Sequence, residues 1–280
     1  METARFLEVL DAEGILLAAA AERAGTDAGV PACPGWRMRD LLRHTGAVHR
    51  WAAAFVAEEH MSPRPIGDGP ELDGAELIAW YRDSHRGLVE TLAAAPPDVR
   101  AWTFHPAPSP GPLAFWTRRQ AHETTVHRFD AEGAAGAEGT EDTADPEGTA
   151  ESAARAEGAA ATNAAPVGTA RIDTAPIGTE FAVDGIDELL RGFHARPRSR
   201  VRTDEPRVLR VRATDTDAVW TVRLSPQPPV ATPDDSADAD CELAGPADQL
   251  YLALWNRRPV PNVSGDRSLA ALWQERSAIV

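Results

Sequence analysis

MRDLLRHTGAVHRWAAAFV, residues 38–56, repeats an apolar or small side chain every three to four positions and contains no proline. A helix places side chains with this spacing on one face. The face consists of Met38, Leu41, Thr45, Val48, Ala52, Phe55 and Val56. The stretch therefore predicts an amphipathic helix, from roughly Met38 to Glu59, that packs into a helical core.

Three further helices follow from the same periodicity on either side of this one. They span about Thr3–Arg23, Ala75–Ala94 and Leu113–Phe129, and segments rich in proline and glycine separate them. No convincing alternation of period two interrupts this region. Residues 1–132 are therefore predicted to form a four-helix bundle.

The last third of the chain differs, because an alternation of period two appears there. Residues 209–213 and 220–224 alternate apolar with polar side chains, and the sequence TDTD between them supplies a turn. This pattern predicts a β-hairpin. A third short strand is expected around residues 241–244.

Two helices are expected after these strands. Gly245-Pro246 opens the first, since proline is tolerated in the first turn of a helix. Asp266 caps the second, because its carboxylate can accept from the backbone amides of the first turn. Residues 180–280 are therefore predicted to form a small α+β domain.

The segment between the two predicted domains is acidic and of low complexity. Residues 133–179 contain no aromatic residue and repeat short units such as AEG. A segment of this composition buries too little apolar surface to offset its ordering entropy. The sequence therefore predicts a disordered acidic linker over 133–179, of undetermined role.

The net charge of −15 is concentrated in a few places. Residues 131–180 hold ten acidic residues against Arg155 and Arg171, and four aspartates lie within residues 234–240. The predicted domains are therefore nearly neutral and offer no basic stripe to a nucleic acid. All 28 basic residues are arginine, which excludes lysine Schiff-base chemistry and a Walker-A phosphate loop.

Cysteine usage and hydropathy bear on location. Cys33 and Cys241 fit no disulfide framework and no metal-binding spacing, so we expect free thiols. No apolar run approaches the roughly 20 residues that a membrane span needs. The N-terminal residues METARFLEVLDAEG lack the pattern of a secretory signal. We expect a cytoplasmic protein without a membrane span, and the oligomeric state stays open.

The motif HETTVH, residues 122–127, is the most informative for chemistry. Glu123 and His127 are four residues apart and leave the same face of a helix. A divalent cation compensates a buried carboxylate beside an imidazole. His44, at the edge of the apolar stripe of the second helix, is a candidate third ligand. Two histidines and one carboxylate leave a coordination position open, as catalytic zinc sites do.

Several alternatives remain at this motif. Glu123 and His127 are also compatible with a solvated or salt-bridged pair. His122 is expected to point away from their face, and the motif is not the HExxH of zinc proteases. His49 competes with His44 for the third position, or it faces a substrate or cofactor, or it supports a ligand from behind.

Three runs of the sequence together resemble the mycothiol-dependent maleylpyruvate isomerase family. They are PACPGWRMRDLLRHTGAVHRWAAAF at 31–55, RRQAHETTVHRFDAE at 118–132 and AGPADQLYLALWNRRP at 244–259. The resemblance covers nearly the whole chain except the linker, which is not part of the family pattern. It implies a DinB-like four-helix metal-binding domain followed by a smaller α+β domain resembling a sterol-carrier fold.

The resemblance also implies roles for individual residues. The family's metal ligands correspond to His44, Glu123 and His127, and its functional arginine corresponds to Arg257, with Arg258 beside it. An arginine fork suits a carboxylate of a substrate or the polar groups of a thiol cofactor. Its alternative is a surface arginine at a helix end. Asp130 either orients a ligand imidazole or is the solvated end of the helix.

The leading hypothesis is therefore a metal-dependent enzyme that uses mycothiol as cofactor and acts on an electrophilic, unsaturated small molecule, by isomerisation or thiol transfer. Zinc is the expected metal, although the donor set also accepts nickel or iron. Two alternatives remain. One is a metal-dependent hydrolase, and the other is a non-catalytic module whose metal is structural and whose linker recruits a partner.

Overall fold

The computed structural model describes residues 1–104, 111–138 and 176–279. Within the first two of these ranges the chain forms four helices, as the periodicity predicts. They are α1 (Thr3–Ala24), α2 (Met38–Ala57), α3 (Gly74–Ala94) and α4 (Pro112–Glu138). The predicted bounds agree closely except at the end of α4, which continues to Glu138 instead of ending at Phe129.

Helix α4 lies at the centre of the structure, and most of its side chains along residues 115–131 are buried. It packs against α1, α2 and α3 on one side and contacts the C-terminal region on another. Polar side chains project from all of its faces, and each of the charged ones described below has a partner of opposite charge. This central position explains how a helix of such polar composition becomes a core element.

The C-terminal region begins with a helix that the sequence interpretation missed. Helix α5 (Thr179–Asp187) continues directly into a π-helical turn, Glu188–Phe193. Five strands and two more helices follow, in the order β1 (Arg207–Ala213), β2 (Val219–Leu224), β3 (Val230–Thr232), β4 (Cys241–Gly245), α6 (Ala247–Leu254), β5 (Asn262–Gly265) and α7 (Arg267–Arg276). The predicted hairpin, third strand and two helices are all present, and the fold is α plus α+β.

The five strands form one mixed sheet in the order β3-β2-β1-β4-β5. Its hairpin pairs β1 with β2 in the register Val211 opposite Trp220, and β1 and β4 run parallel. The short edge strands β3 and β5 were not predicted. Asp266 caps α7 as expected, since its side chain accepts from the backbone amide of Ser268.

The predicted linker needs a correction at both ends. Residues 133–138 belong to α4, and Thr179 already begins α5. Residues 176–178 are described and lie outside any helix or strand, and residues 139–175 lie outside the described residues. Ala134 is buried against the bundle, so packing on neighbouring helices extends α4 into a sequence whose composition alone indicates no structure.

One cluster of buried apolar side chains spans the two regions, and a second lies within the bundle. Phe6 and Leu10 of α1 belong to the first cluster together with Phe181 and Ile186 of α5 and Leu209 of β1. The Phe6 and Phe181 rings lie with centroids 6.1 Å apart. Helix α5 therefore joins the bundle to the sheet through apolar packing. Among the described residues no helix has the length and apolar character to cross a membrane.

One close approach inside the bundle predicts a strong effect on stability. A Cβ atom at Gly14 would lie 2.2 Å from Cε1 of His85, whose buried ring stacks on Tyr81. We expect Gly14→Ala to lower the free energy of unfolding by about 1–3 kcal/mol, because overpacking displaces the ring. Urea unfolding curves measure this loss.

Gly87→Ala on α3 is the matched control for Gly14→Ala. A Cβ at Gly87 meets nothing within 4 Å. The change is expected to stabilise the helix by up to about 1 kcal/mol, because alanine has the higher helix propensity. Equal gains in the two variants would show that the space at Gly14 is not restricted.

Candidate functional site

Helices α2 and α4 bring His44, Glu123 and His127 together. His44 Nε2 lies 3.5 Å from Glu123 Oε1, and His127 Nε2 lies 3.3 Å from the same oxygen. The two imidazole rings meet edge to face, with centroids 5.2 Å apart. One ligand atom from each of the three residues can be chosen so that all lie within 4.8 Å of one another. The three side chains thus point at a common centre.

This donor set has the chemistry of a divalent-metal site. Two imidazole nitrogens and one carboxylate oxygen match the protein ligands of open, three-ligand zinc sites. His127 also has the usual support of a metal-bound imidazole, since its Nδ1 donates to Asp130 Oδ2 at 2.9 Å. That hydrogen bond leaves Nε2 directed towards Glu123. The residues present therefore fit a metal ion.

The charges at this centre favour a cation between the imidazoles and the carboxylate. Burial alone would raise the pKa of the Glu123 carboxyl, but hydrogen bonds from His127 and His44 hold it well below its ordinary value. Burial opposes protonation of His127, but its bonds to Asp130 and Glu123 outweigh burial and raise its pKa to about 9. Without a metal ion, the negative charge on Glu123 and Asp130 is thus balanced by a proton on the His127 ring, and a metal bound at Nε2 would displace that proton.

Asp130 connects the centre to the C-terminal region through Arg257. The Arg257 guanidinium donates from Nε to Asp130 Oδ1 at 2.9 Å and from Nη2 to Oδ2 at 2.8 Å. Burial would raise the pKa of Asp130, but its hydrogen bonds with His127 and Arg257 lower it to about 2. Asp130 is fully buried, so it orients the His127 ring rather than forming a solvated helix end.

The structure gives Arg257 partners within the protein. Its guanidinium pairs with Asp130, and its Nη1 donates to the carbonyl oxygen of Trp255 at 2.8 Å. The side chain is only 18% exposed, but it lines the cavity described below. Binding of an anionic group of a substrate or cofactor by Arg257 stays a prediction. Arg258, beside it, is exposed and lies over the Phe129 ring.

His49, predicted to compete for the third ligand position, to face a substrate or cofactor, or to support a ligand from behind, lies inside the bundle. Its ring is fully buried, and Nε2 lies 2.9 Å from Oγ1 of Thr124. It packs between the rings of Tyr81 and His85. Burial lowers its pKa to about 3, so the ring is neutral. Contact of His49 with a cofactor or substrate stays a prediction.

His122 points away from the centre, as the helical spacing predicts. Its Nε2 donates to Asp184 of α5 at 3.0 Å, and its ring lies 4.2 Å from the ring of Phe181. Its fully buried position makes it part of the contact between α4 and the C-terminal region. It therefore supports the helix that carries Glu123 and His127 without facing the metal centre.

The loop between α1 and α2 adds two residues that the sequence did not assign to the site. The Trp36 ring packs on the His44 ring, with centroids 5.2 Å apart. The Cys33 thiol lies 3.6 Å from Asp130 Oδ2 and 3.8 Å from Arg257 Nη2. Burial and the Asp130 charge raise the pKa of Cys33 to about 12. Cys33 is therefore a protonated thiol at neutral pH and not a nucleophile.

A cavity of about 430 Å³ lies where the end of α4 meets the end of α6. Its lining includes Phe129, Asp130 and Glu132 from α4 together with Arg257 and Arg258. None of His44, Glu123 and His127 lines it. Asp130 does, and it also accepts from His127 Nδ1, so Asp130 connects this cavity to the candidate metal site.

Arg119 is another residue of the site that the sequence interpretation missed. It lies one helical turn before Glu123, and its Nη2 donates to Glu123 Oε2 at 2.9 Å. The spacing of four residues between an arginine and a glutamate on a predicted helix was the available signal. Nothing in the sequence indicates its second partner, Glu188 of the π-helical turn.

Comparisons with known proteins match both regions. The model of the mycothiol maleylpyruvate isomerase N-terminal domain matches residues 7–132, and that of the MDMPI C-terminal domain matches residues 180–272. No curated protein and no solved structure matches the chain. The two matched ranges include all of the residues described at the site.

Proposed function

Since this chain belongs to the mycothiol maleylpyruvate isomerase family, we propose that it is a mycothiol-dependent metalloenzyme. His44, Glu123 and His127 hold the divalent metal, with zinc as the ion best suited to the set. The observation that supports this most is the convergence of three ligand atoms from α2 and α4 within 4.8 Å. The hydrogen bond from His127 to Asp130 supports the same assignment.

The metal supplies one kind of chemistry: it lowers the pKa of a bound thiol, so that the cofactor is available as a thiolate at neutral pH. The residues of the chain prepare the site for this. Asp130 keeps the proton of His127 on Nδ1, which leaves Nε2 free as a ligand. Trp36 packs on the His44 ring and limits its rotation.

The substrate class that fits a thiolate nucleophile is an electrophilic, unsaturated small molecule. In an isomerisation, the sulfur–carbon bond that forms is the bond that later breaks, so the thiol is returned after rotation about the former double bond. In a thiol transfer, that bond remains and a proton is delivered to the neighbouring carbon. Both reactions need the same metal centre.

Calorimetric titration of the metal-loaded and metal-free protein with mycothiol tests this function. We expect the loaded form to bind at least tenfold more tightly, which corresponds to about 1.4 kcal/mol from the sulfur–metal contact. Mycothiol with a methylated sulfur is the control ligand, and its affinity is expected not to depend on the metal. Equal affinity of mycothiol itself for both forms would contradict the proposal. Turnover of an electrophilic ester without any thiol would favour a metal-dependent hydrolase instead.

A further inference from the structure

The two oxygens of Glu123 have different partners. Oε1 faces the Nε2 atoms of His44 and His127, at 3.5 Å and 3.3 Å. Oε2 accepts from Nη2 of Arg119 at 2.9 Å. A carboxylate with one oxygen already occupied can rotate little, so Oε1 is the oxygen presented to the metal centre.

Arg119 is itself fixed by the C-terminal region. Its Nη1 donates to Glu188 Oε2, and both side chains are only 3% exposed. Its guanidinium carbon lies 4.8 Å from the centroid of the Phe193 ring and 5.7 Å from that of Trp255. Planar guanidinium groups pack well on aromatic rings and bridge two carboxylates with their fork of donors. Glu188 and the two rings thus determine where Arg119 points.

We propose that Arg119 and Glu188 are positioning residues for the metal ligand Glu123. Glu188 orients the guanidinium, and the guanidinium holds Oε2 so that Oε1 stays directed at the metal. This inference rests on the proposed function, since it assumes that Glu123 binds a metal. It adds that metal affinity depends on a π-helical turn of the C-terminal domain. Metal binding and the packing of that turn on α4 are therefore coupled in both directions.

Arg119 can affect metal binding in two ways, by orienting Glu123 and by its positive charge. Arg119 repels a cation as well as orienting its ligand, so its removal alone has two opposed effects on metal affinity. The double variant Arg119→Met with Glu188→Leu removes one positive and one negative charge and isolates the positioning effect. Arg118→Met with Asp184→Asn is the matched control. It removes an ion pair between α4 and α5, with Arg118 Nε 2.6 Å from Asp184 Oδ2, that does not touch Glu123, and the asparagine oxygen can still accept from His122.

Competition with a zinc chelator measures the affinity of wild type and both double variants. We expect the Arg119 and Glu188 variant to bind zinc about 10–100-fold more weakly, the usual effect of removing a residue that orients a metal ligand. The control is expected to change by less than threefold, or about 0.7 kcal/mol. The visible spectrum of the cobalt-loaded protein should change in the first variant only, because the coordination geometry changes there.

A second pair of single variants, with smaller changes, tests the same role in case the double variants do not fold. Arg119→Lys keeps the positive charge but loses the planar guanidinium whose paired N–H groups bridge two carboxylates. Arg118→Lys is its control. We expect weaker zinc binding in Arg119→Lys alone. If wild type binds zinc and the variants at 118 and 119 bind it equally, the positioning role is overturned while the proposed function stands. If wild type binds no zinc, both fail.

Discussion

His44→Ala and Glu123→Ala are each expected to abolish stoichiometric metal binding. Structural zinc sites in zinc-finger peptides contribute about 10–16 kcal/mol, and on that scale the loss of one ligand costs roughly 3–5 kcal/mol. That corresponds to more than about 100-fold in affinity. Elemental analysis after dialysis gives the metal content per chain. Full occupancy in either variant would rule out the His44, Glu123 and His127 site.

His60→Ala is the matched control for these ligand variants. His60 follows the end of α2, and its Nε2 lies 3.0 Å from Glu58 Oε2. It is not one of the three candidate ligands. We expect this variant to keep its metal. Circular dichroism of all three proteins shows whether metal loss reflects the missing ligand or an unfolded bundle, since a lost ligand leaves the helices intact.

Arg128→Met is expected to destabilise the fold by about 3–5 kcal/mol, because it leaves a buried carboxylate unpaired. Arg128 is fully buried on α4. It donates to Glu13 of α1 at 2.6 Å and to Glu132 at 2.9 Å. Denaturant unfolding measures the loss. Arg86→Met on α3 is the control, since this arginine is exposed and its ion pair with Asp83 contributes little.

The loss of unfolding free energy in Arg128→Met should depend on pH. Burial raises the pKa of Glu13 above its ordinary value even with Arg128 beside it, and loss of the arginine raises it further. A carboxyl whose folded-state pKa is raised stabilises the fold when protonated. The loss of stability is therefore expected to be larger at neutral pH, where Glu13 is ionised, and to shrink as the pH is lowered and Glu13 becomes protonated. The added change Glu13→Leu should recover part of the stability. A deficit equal to that of Arg86→Met would contradict the role of this ion pair.

The sequence predicted the helices and the hairpin well because their periodicities are local. The stripe on α2 and the alternation at 209–213 each lie within one element, so no distant information is needed. Helix α5 was missed because its start, Thr179, adjoins a sequence of low complexity. The end of α4 was missed for the same reason, since residues 133–138 are helical through packing rather than through composition.

The candidate site shows the limit of local patterns more clearly. The spacing of Glu123 and His127 predicts a shared face, and the structure brings His44 to it. The roles expected of His49 and Arg257 depended on which distant residues they meet. Arg257 meets Asp130, 127 positions earlier, and His49 is enclosed by α3. Periodicity assigns a residue to a face of its helix but not to the neighbour on that face.

The continuous apolar cluster that joins α1, α5 and the sheet restricts how this architecture can evolve by recombination. A sheet-containing half taken from a relative would bring a different α5 against Phe6 and His122. In this chain the Phe181 ring packs on Phe6, and Asp184 accepts a hydrogen bond from His122. An exchanged half would have to supply both an aromatic ring and a carboxylate at the corresponding places. Exchange of one half alone is therefore expected to weaken this contact, although each half has its own secondary structure.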